Sequence, residues 1–202
     1  NQTANPDGSA KPVFPTPTIG MIGVLKDKSL QTTLDFKYKG DLIFLLGESQ
    51  NCINSSEYAS SILGLKDTPA PHFDIEAEYH LQQCIKDLIK NVYINAAHDV
   101  SNGGLYVTLV EMGLNNNLGF DIVSDSDVRK DAFLFGESQS RVVVTVTEDY
   151  EEEFIDAVGE LDVPLTLLGH VTQGKCMVDG DRFGFIDDVR KIYTNTLAEE
   201  MN

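Results

Sequence analysis

His98-Asp99-Val100-Ser101-Asn102-Gly103-Gly104-Leu105 is the stretch on which the fold turns. Ahead of it, Tyr93 to Ala97 reads as a short strand. Behind it, the apolar positions from Gly104 to Leu114 read as a helix, so the chain passes from strand to helix through two glycines. Such a turn presents free backbone N–H groups at the positive end of a helix, a geometry suited to an anion. Ser101 adds a hydroxyl donor, and His98 or Asp99 could orient a ligand or a metal-bound water. The same residues also have a purely structural use. Asp99 or Ser101 can cap the helix, the glycines permit close packing, and His98 can fill the turn. Spacing alone leaves both uses open.

Outward from this point, strands and helices are mixed along the chain. Toward the N-terminus, Asp74 to Val92 carries an apolar stripe (Leu81, Cys84, Ile85, Leu88, Ile89, Val92) with Asp74 placed to cap it, a helix. Asn54-Ser55-Ser56-Glu57 offers cap chemistry for a short helix ending near Gly64. Asp41 to Leu46 reads as a buried strand, and so does Ile19 to Leu25, with glycines where another backbone would come close. Residues 1–18 hold Pro6, Pro12, Pro15 and Pro17, which resist regular pairing and predict an extended arm or linker. Toward the C-terminus, strands are expected over Leu118–Val123, Arg141–Thr147, Leu165–Val171, Cys176–Val178 and Phe183–Ile186. Helices are expected over Glu148–Gly159 and over Asp187–Met201, the latter capped by Asp187 or Asp188. The class is therefore α/β (α+β), a mixed β-sheet flanked by helices, with residues 19–202 forming one domain.

Composition limits the functions open to this fold. The 202 residues hold 15 Lys+Arg against 32 Asp+Glu, a formal net charge of -17. Nucleic acid and anionic membrane faces are disfavoured as partners, because both are held by cationic side chains. No apolar run is long enough to span a bilayer, and the N-terminus carries no secretory signal pattern. Cys52, Cys84 and Cys176 are odd in number and lack C-x-x-C spacing, so reduced thiols in the cytoplasm are the simplest account.

A second polar constellation, Gly136-Glu137-Ser138-Gln139-Ser140-Arg141, precedes the valine-rich strand. Glu137, Ser138 and Gln139 offer carboxylate, hydroxyl and amide groups to a polar ligand, and Arg141 could pair with a carboxylate or phosphate. A salt bridge between Glu137 and Arg141 in a polar loop is the alternative. Gly-Glu-Ser-Gln recurs at Gly47–Gln50, but the flanking residues differ and argue for coincidence. His72, His80 and His170 lack helical metal-ligand spacing, so no metal site is expected, and neither Ser138 nor Cys84 is placed as a nucleophile.

Taken in order, Phe14-Pro15-Thr16-Pro17-Thr18-Ile19-Gly20-Met21-Ile22-Gly23, Ser56-Glu57-Tyr58, His98 to Leu105, and Gly136 to Arg141 resemble the C-terminal part of phosphoribosylformylglycinamidine synthase. The resemblance runs from about residue 12 to residue 190. It implies the fold of the C-terminal domain of aminoimidazole ribonucleotide synthetase, and the second of two such domains in a longer chain. His-Asp-Val-Ser followed by Asp or Asn and two glycines is typical of that second copy; Asn102 stands where Asp is commoner. The implied activity is purine-biosynthetic amidination. ATP phosphorylates the formamide oxygen of formylglycinamide ribonucleotide, and ammonia from a glutaminase subunit or domain displaces the phosphate. ATP and Mg2+ are the implied cofactors, and the ATP-binding domains of the same chain are implied partners. The family's catalytic histidine and most nucleotide and magnesium ligands lie in those domains, so no catalytic residue is assigned in this chain. By resemblance, His98, Asp99, Ser101, Gly103, Gly104, Glu137, Ser138, Gln139 and Arg141 would line a second pseudo-site, and the chain alone is expected to be inactive. A phosphometabolite- or nucleotide-binding module, or a synthetase of another substrate, is the alternative.

Overall fold

A computed structural model of the chain describes residues 2–4, 6–13 and 16–201; Phe14 and Pro15 of the first motif lie outside them. The sheet forms where apolar β-branched and aromatic residues run without interruption. Strands β3 (Leu42–Leu46) and β6 (Val142–Val146) pair antiparallel within it, Leu46 opposite Val142. Both are almost fully buried, as expected of strands covered on two faces. Around them lie β4 (Ala96–Asp99), β5 (Gly119–Ile122), β7 (Leu165–Thr172), β8 (Lys175–Val178) and β9 (Asp181–Phe185). The seven-stranded order is β4-β6-β3-β7-β5-β8-β9. Only β5 and β8 run parallel, so the sheet is mixed.

Alternation along each strand divides the core into two layers. Ile43, Leu45 and Val143 face one layer with Phe120, Val171 and Cys176. It is covered by α2 (Gly104–Leu114), α3 (Lys130–Phe135) and the start of α5 (Ile186–Glu200), through Leu105, Leu109, Met112, Phe133 and Ile186. Phe44, Leu46, Val144 and Val146 face the other layer, against α1 (Ile75–Lys90) and α4 (Glu151–Gly159). There Phe44 meets Phe154 at 4.8 Å between ring centres. Asp74 caps α1 as the sequence predicts, accepting from the amides of Glu76 and Ala77.

Several expectations are corrected. Ile19 to Leu25 is not a buried strand: it has no regular structure, and Met21 and Ile22 are 93% and 98% exposed. Nothing lies within 4 Å of the positions a Cβ would take at Gly20 or Gly23, so no backbone makes the close approach those glycines suggested. Among the proline-rich residues, β1 (Gln2–Ala4) and β2 (Ala10–Pro12) pair antiparallel around a turn in which Asp7 accepts from Ser9, a small hairpin apart from the main sheet. The strand expected at Tyr93–Ala97 begins three residues later, because Val92 adopts φ 59 and the Tyr93 amide still closes α1 on Leu88. Instead of an ordinary short helix, one π-type turn covers Tyr58–Ile62. Helix α5 follows Phe185 with no side-chain cap; Asp187 and Asp188 lie in its first turn. Helix α3 had no sequence expectation, being only six residues long.

Replacing Phe44 by Ala is expected to lower unfolding free energy by about 3–5 kcal/mol in urea titration, while the same change at exposed Tyr38 stays within about 0.5 kcal/mol. Cys84 and Cys176 are fully buried, and burial pushes both thiols up to about 11, whereas Cys52 is partly exposed. A thiol reagent at pH 8 should therefore label Cys52 alone in the native protein and all three cysteines in denaturant.

Candidate functional site

The two constellations meet at one end of the sheet. Helix α2 is preceded by its N-cap residue Gly103, whose φ of +85 is a conformation glycine adopts without strain. A Cβ on Gly104 would come within 2.8 Å of the backbone of Phe135 and Gly136. The second glycine thus lets the 135–136 backbone lie directly on the helix start. That contact brings Glu137 to the turn. Its Oε1 accepts from the Gly103 amide at 2.8 Å and from the Glu57 amide at 2.8 Å. The amide that the sequence offered to an external anion is therefore taken by the protein's own carboxylate, a charge-assisted contact at a positive helix end.

Arg141 does not pair with Glu137. It is 2% exposed, with Nε donating to the Ser138 carbonyl at 3.0 Å and Nη2 to the Gly136 carbonyl at 2.7 Å. Burial pushes its guanidinium down to about 10, which still leaves it charged at neutral pH. Both expected uses of Arg141, as ligand arm and as salt-bridge partner, give way to a structural one: it ties the 136–138 backbone into a fixed loop. Ser138 is 1% exposed, and its Oγ has no hydrogen-bond partner among the described residues.

His98 and Asp99 lie in β4 rather than in the turn. The His98 ring contacts Glu111 through Nε2 at 2.9 Å and Asp99 through Nδ1 at 3.3 Å, and the Tyr193 hydroxyl donates to Glu111. This network ties β4 to α2 and α5. Ser101 donates to Asp99 at 2.5 Å, and that bond is the main cause holding the Asp99 carboxyl below its ordinary range.

Ser101, Glu137 and Gln139 share a 280 Å³ cavity with Ser55, Pro71, Val100 and Asn102; His98, Asp99, Ser138 and Arg141 do not line it. No lysine or arginine is among its lining residues, so no cationic side chain there balances a phosphate charge. Sequence reasoning missed the contribution of Ser55, Glu57 and Pro71. The signals there were Asn54-Ser55-Ser56-Glu57, read as a helix cap, and Ser56-Glu57-Tyr58, quoted only as a motif of the resemblance. A larger cavity of 510 Å³ is bordered by Gly47, Glu48, Gln50, Gln139 and Ser140, so the first Gly-Glu-Ser-Gln copy and the last residue of the second border one space. Antiparallel pairing of β3 with β6 accounts for this without a duplication. Among the described residues, no group of three or more His, Cys, Asp or Glu side chains is placed to hold a metal ion.

The profile of "AIR synthase related protein, C-terminal domain" matches residues 39–179. The chain is 37% identical over 172 residues to phosphoribosylformylglycinamidine synthase subunit PurL of Caldanaerobacter subterraneus, covering 85% of this chain and 23% of that protein. It is 34% identical over 203 residues to PurL of Zymomonas mobilis, covering 100% of this chain and 27% of that one. The chain thus spans about a quarter of the length of the curated relatives it matches. The crystal structure of phosphoribosylformylglycinamidine synthase II from Thermotoga maritima superposes with a TM-score of 0.66 at 14% identity, over 81% of this chain and 28% of that one. Other solved forms of T. maritima PurL are complexes with FGAR and with ATP, and one structure is PurLQS. The relatives carry the name that the sequence resemblance gave, and the neighbours share the mixed sheet with flanking helices.

Replacing Arg141 by Met removes the donors to the Gly136 and Ser138 carbonyls and is expected to cost about 1–3 kcal/mol. Gln139→Ala should change stability by less than about 0.5 kcal/mol; urea midpoints compare the two. The profile match covers more than half of the chain and the whole run from β3 to β8, and on it the chain belongs to the AIR synthase related protein family, as a C-terminal domain of that family.

Proposed function

We propose that the chain is the C-terminal portion of a phosphoribosylformylglycinamidine synthase, the ATP- and glutamine-dependent enzyme that amidinates formylglycinamide ribonucleotide in purine biosynthesis. The observation that carries this reading is a similarity extending over the whole chain to proteins about four times as long. In it, ATP and Mg2+ serve the full-length enzyme and are bound outside this chain. The chain contributes a rigid sheet domain and part of a composite wall. Its partners are the ATP-binding domains of the same polypeptide and a glutaminase subunit or domain. The PurLQS structure of T. maritima supports a multi-part assembly. The working compartment is the cytoplasm, in keeping with three free thiols.

The division into an arm over residues 1–18 and one domain over 19–202 belongs to the same proposal. The exposed apolar run Ile19 to Leu25 is then the surface that meets the preceding ATP-binding domain. A free-standing phosphometabolite-binding module is the weaker reading, because Glu137 already fills the Gly103 amide and no cation lines the cavity.

The purified chain, given ATP, magnesium, formylglycinamide ribonucleotide and ammonia, is expected to release no phosphate above background. The same assay on the full-length protein should show turnover that needs the ribonucleotide. Turnover by the chain alone would overturn the fragment reading. Calorimetric binding of ribose 5-phosphate to the chain would favour the module.

A further inference from the structure

The 15 residues from Ser55 to Pro69 form a loop with pinned ends. The Ser55 amide donates to Thr68 Oγ1 at 2.7 Å, and the Ser55 hydroxyl contacts the carbonyls of Thr68 and Pro69 at 3.0 and 3.1 Å. A compact loop of this length with close ends is an Ω-type element. Its only buried residues are Ser56 and Ala59, while Ile62 at its tip is 72% exposed. Few contacts hold it to the sheet domain. Tyr58 stacks on Phe135 at 5.2 Å, and the Glu57 amide donates to Glu137. The same Glu137 oxygen holds the Gly103 amide. One carboxylate oxygen therefore joins two helical starts: the Tyr58–Ile62 turn and α2. Ser55 and Pro71, at the loop's base, line the 280 Å³ cavity together with Val100 to Asn102, Glu137 and Gln139.

We propose that Glu137 is a positioning residue whose carboxylate latches the Ser55–Pro69 loop onto the start of α2, so that the loop is a hinged flap beside the cavity. Its hinge is the bonded pair Ser55 and Thr68, which stays closed when the latch is released. The inference is independent of the synthase reading, since it concerns only contacts within this chain.

Amide hydrogen exchange on the 202-residue chain, read by NMR, tests it. With Glu137→Ala, the Glu57 and Gly103 amides should exchange roughly tenfold faster or more, the scale of a lost charge-assisted bond. Amides from Tyr58 to Leu65 should speed up together, while Ser55 and the strands β3 and β6 keep their rates. Glu137→Gln, which retains an oxygen acceptor, should restore most of the protection. Tyr58→Ala should loosen the flap but leave Gly103 protected, since the carboxylate reaches that amide by itself. Unchanged exchange at Glu57 and Gly103 in the Ala variant would overturn the latch. So would an equal rise across β3 and β6, which would make Glu137 a general stabiliser, or a matching rise at Ser55, which would mean melting rather than hinging.

Discussion

Burial of both faces of β3 and β6 is the constraint to which the rest of the molecule answers. A sheet with two apolar faces needs helices on each side, and the chain supplies α2, α3 and α5 to one layer and α1 and α4 to the other. Once the faces are closed, polar chemistry can gather only where strands end. Antiparallel pairing of β3 and β6 places the end of one and the start of the other together. Gly47, Ser140 and the Glu137 loop consequently share a single rim. A Cβ on Gly47 would lie 2.0 Å from the Ser140 carbonyl, a measure of how tightly that rim is drawn in.

At this rim the local electrostatics are satisfied from within. Helix α2 presents a positive end, and Glu137 supplies the negative charge. The Gly136 and Ser138 carbonyls accept from Arg141, which is buried without a carboxylate partner among the described residues. A buried guanidinium of this kind fixes backbone by saturating its acceptors. Glu137 and Arg141 are thus spent on holding the loops in place, and the adjoining cavity is lined in part by hydroxyl, amide and carboxylate groups.

Much of this was legible in the residues. The boundaries of α2 and the Asp74 cap of α1 follow from local signals: two glycines before an apolar run, and an aspartate ahead of a stripe at helical spacing. What could not be read is what depends on distant partners. Ile19 to Leu25 has a strand's composition but no neighbouring edge among the described residues to pair with. The Glu137 contacts link positions 57, 103 and 137, and no spacing rule connects them. His98 reads as part of the turn because the expected strand ends at Ala97, whereas β4 starts three residues later than expected, after the left-handed Val92, and runs on to Asp99. Arg141 was open to two readings because sequence shows its charge but not its burial.

The exposed run Ile-Gly-Met-Ile-Gly-Val-Leu carries a hazard for the chain when handled alone. Seven uncharged residues with no proline, unpaired and wetted by solvent, are a template on which another such segment can add as a strand. The formal net charge of -17 opposes that encounter by mutual repulsion. Colloidal behaviour of the separate chain should therefore depend on salt: at low ionic strength the charges keep copies apart, and as screening shortens their reach the bare apolar run is free to self-associate.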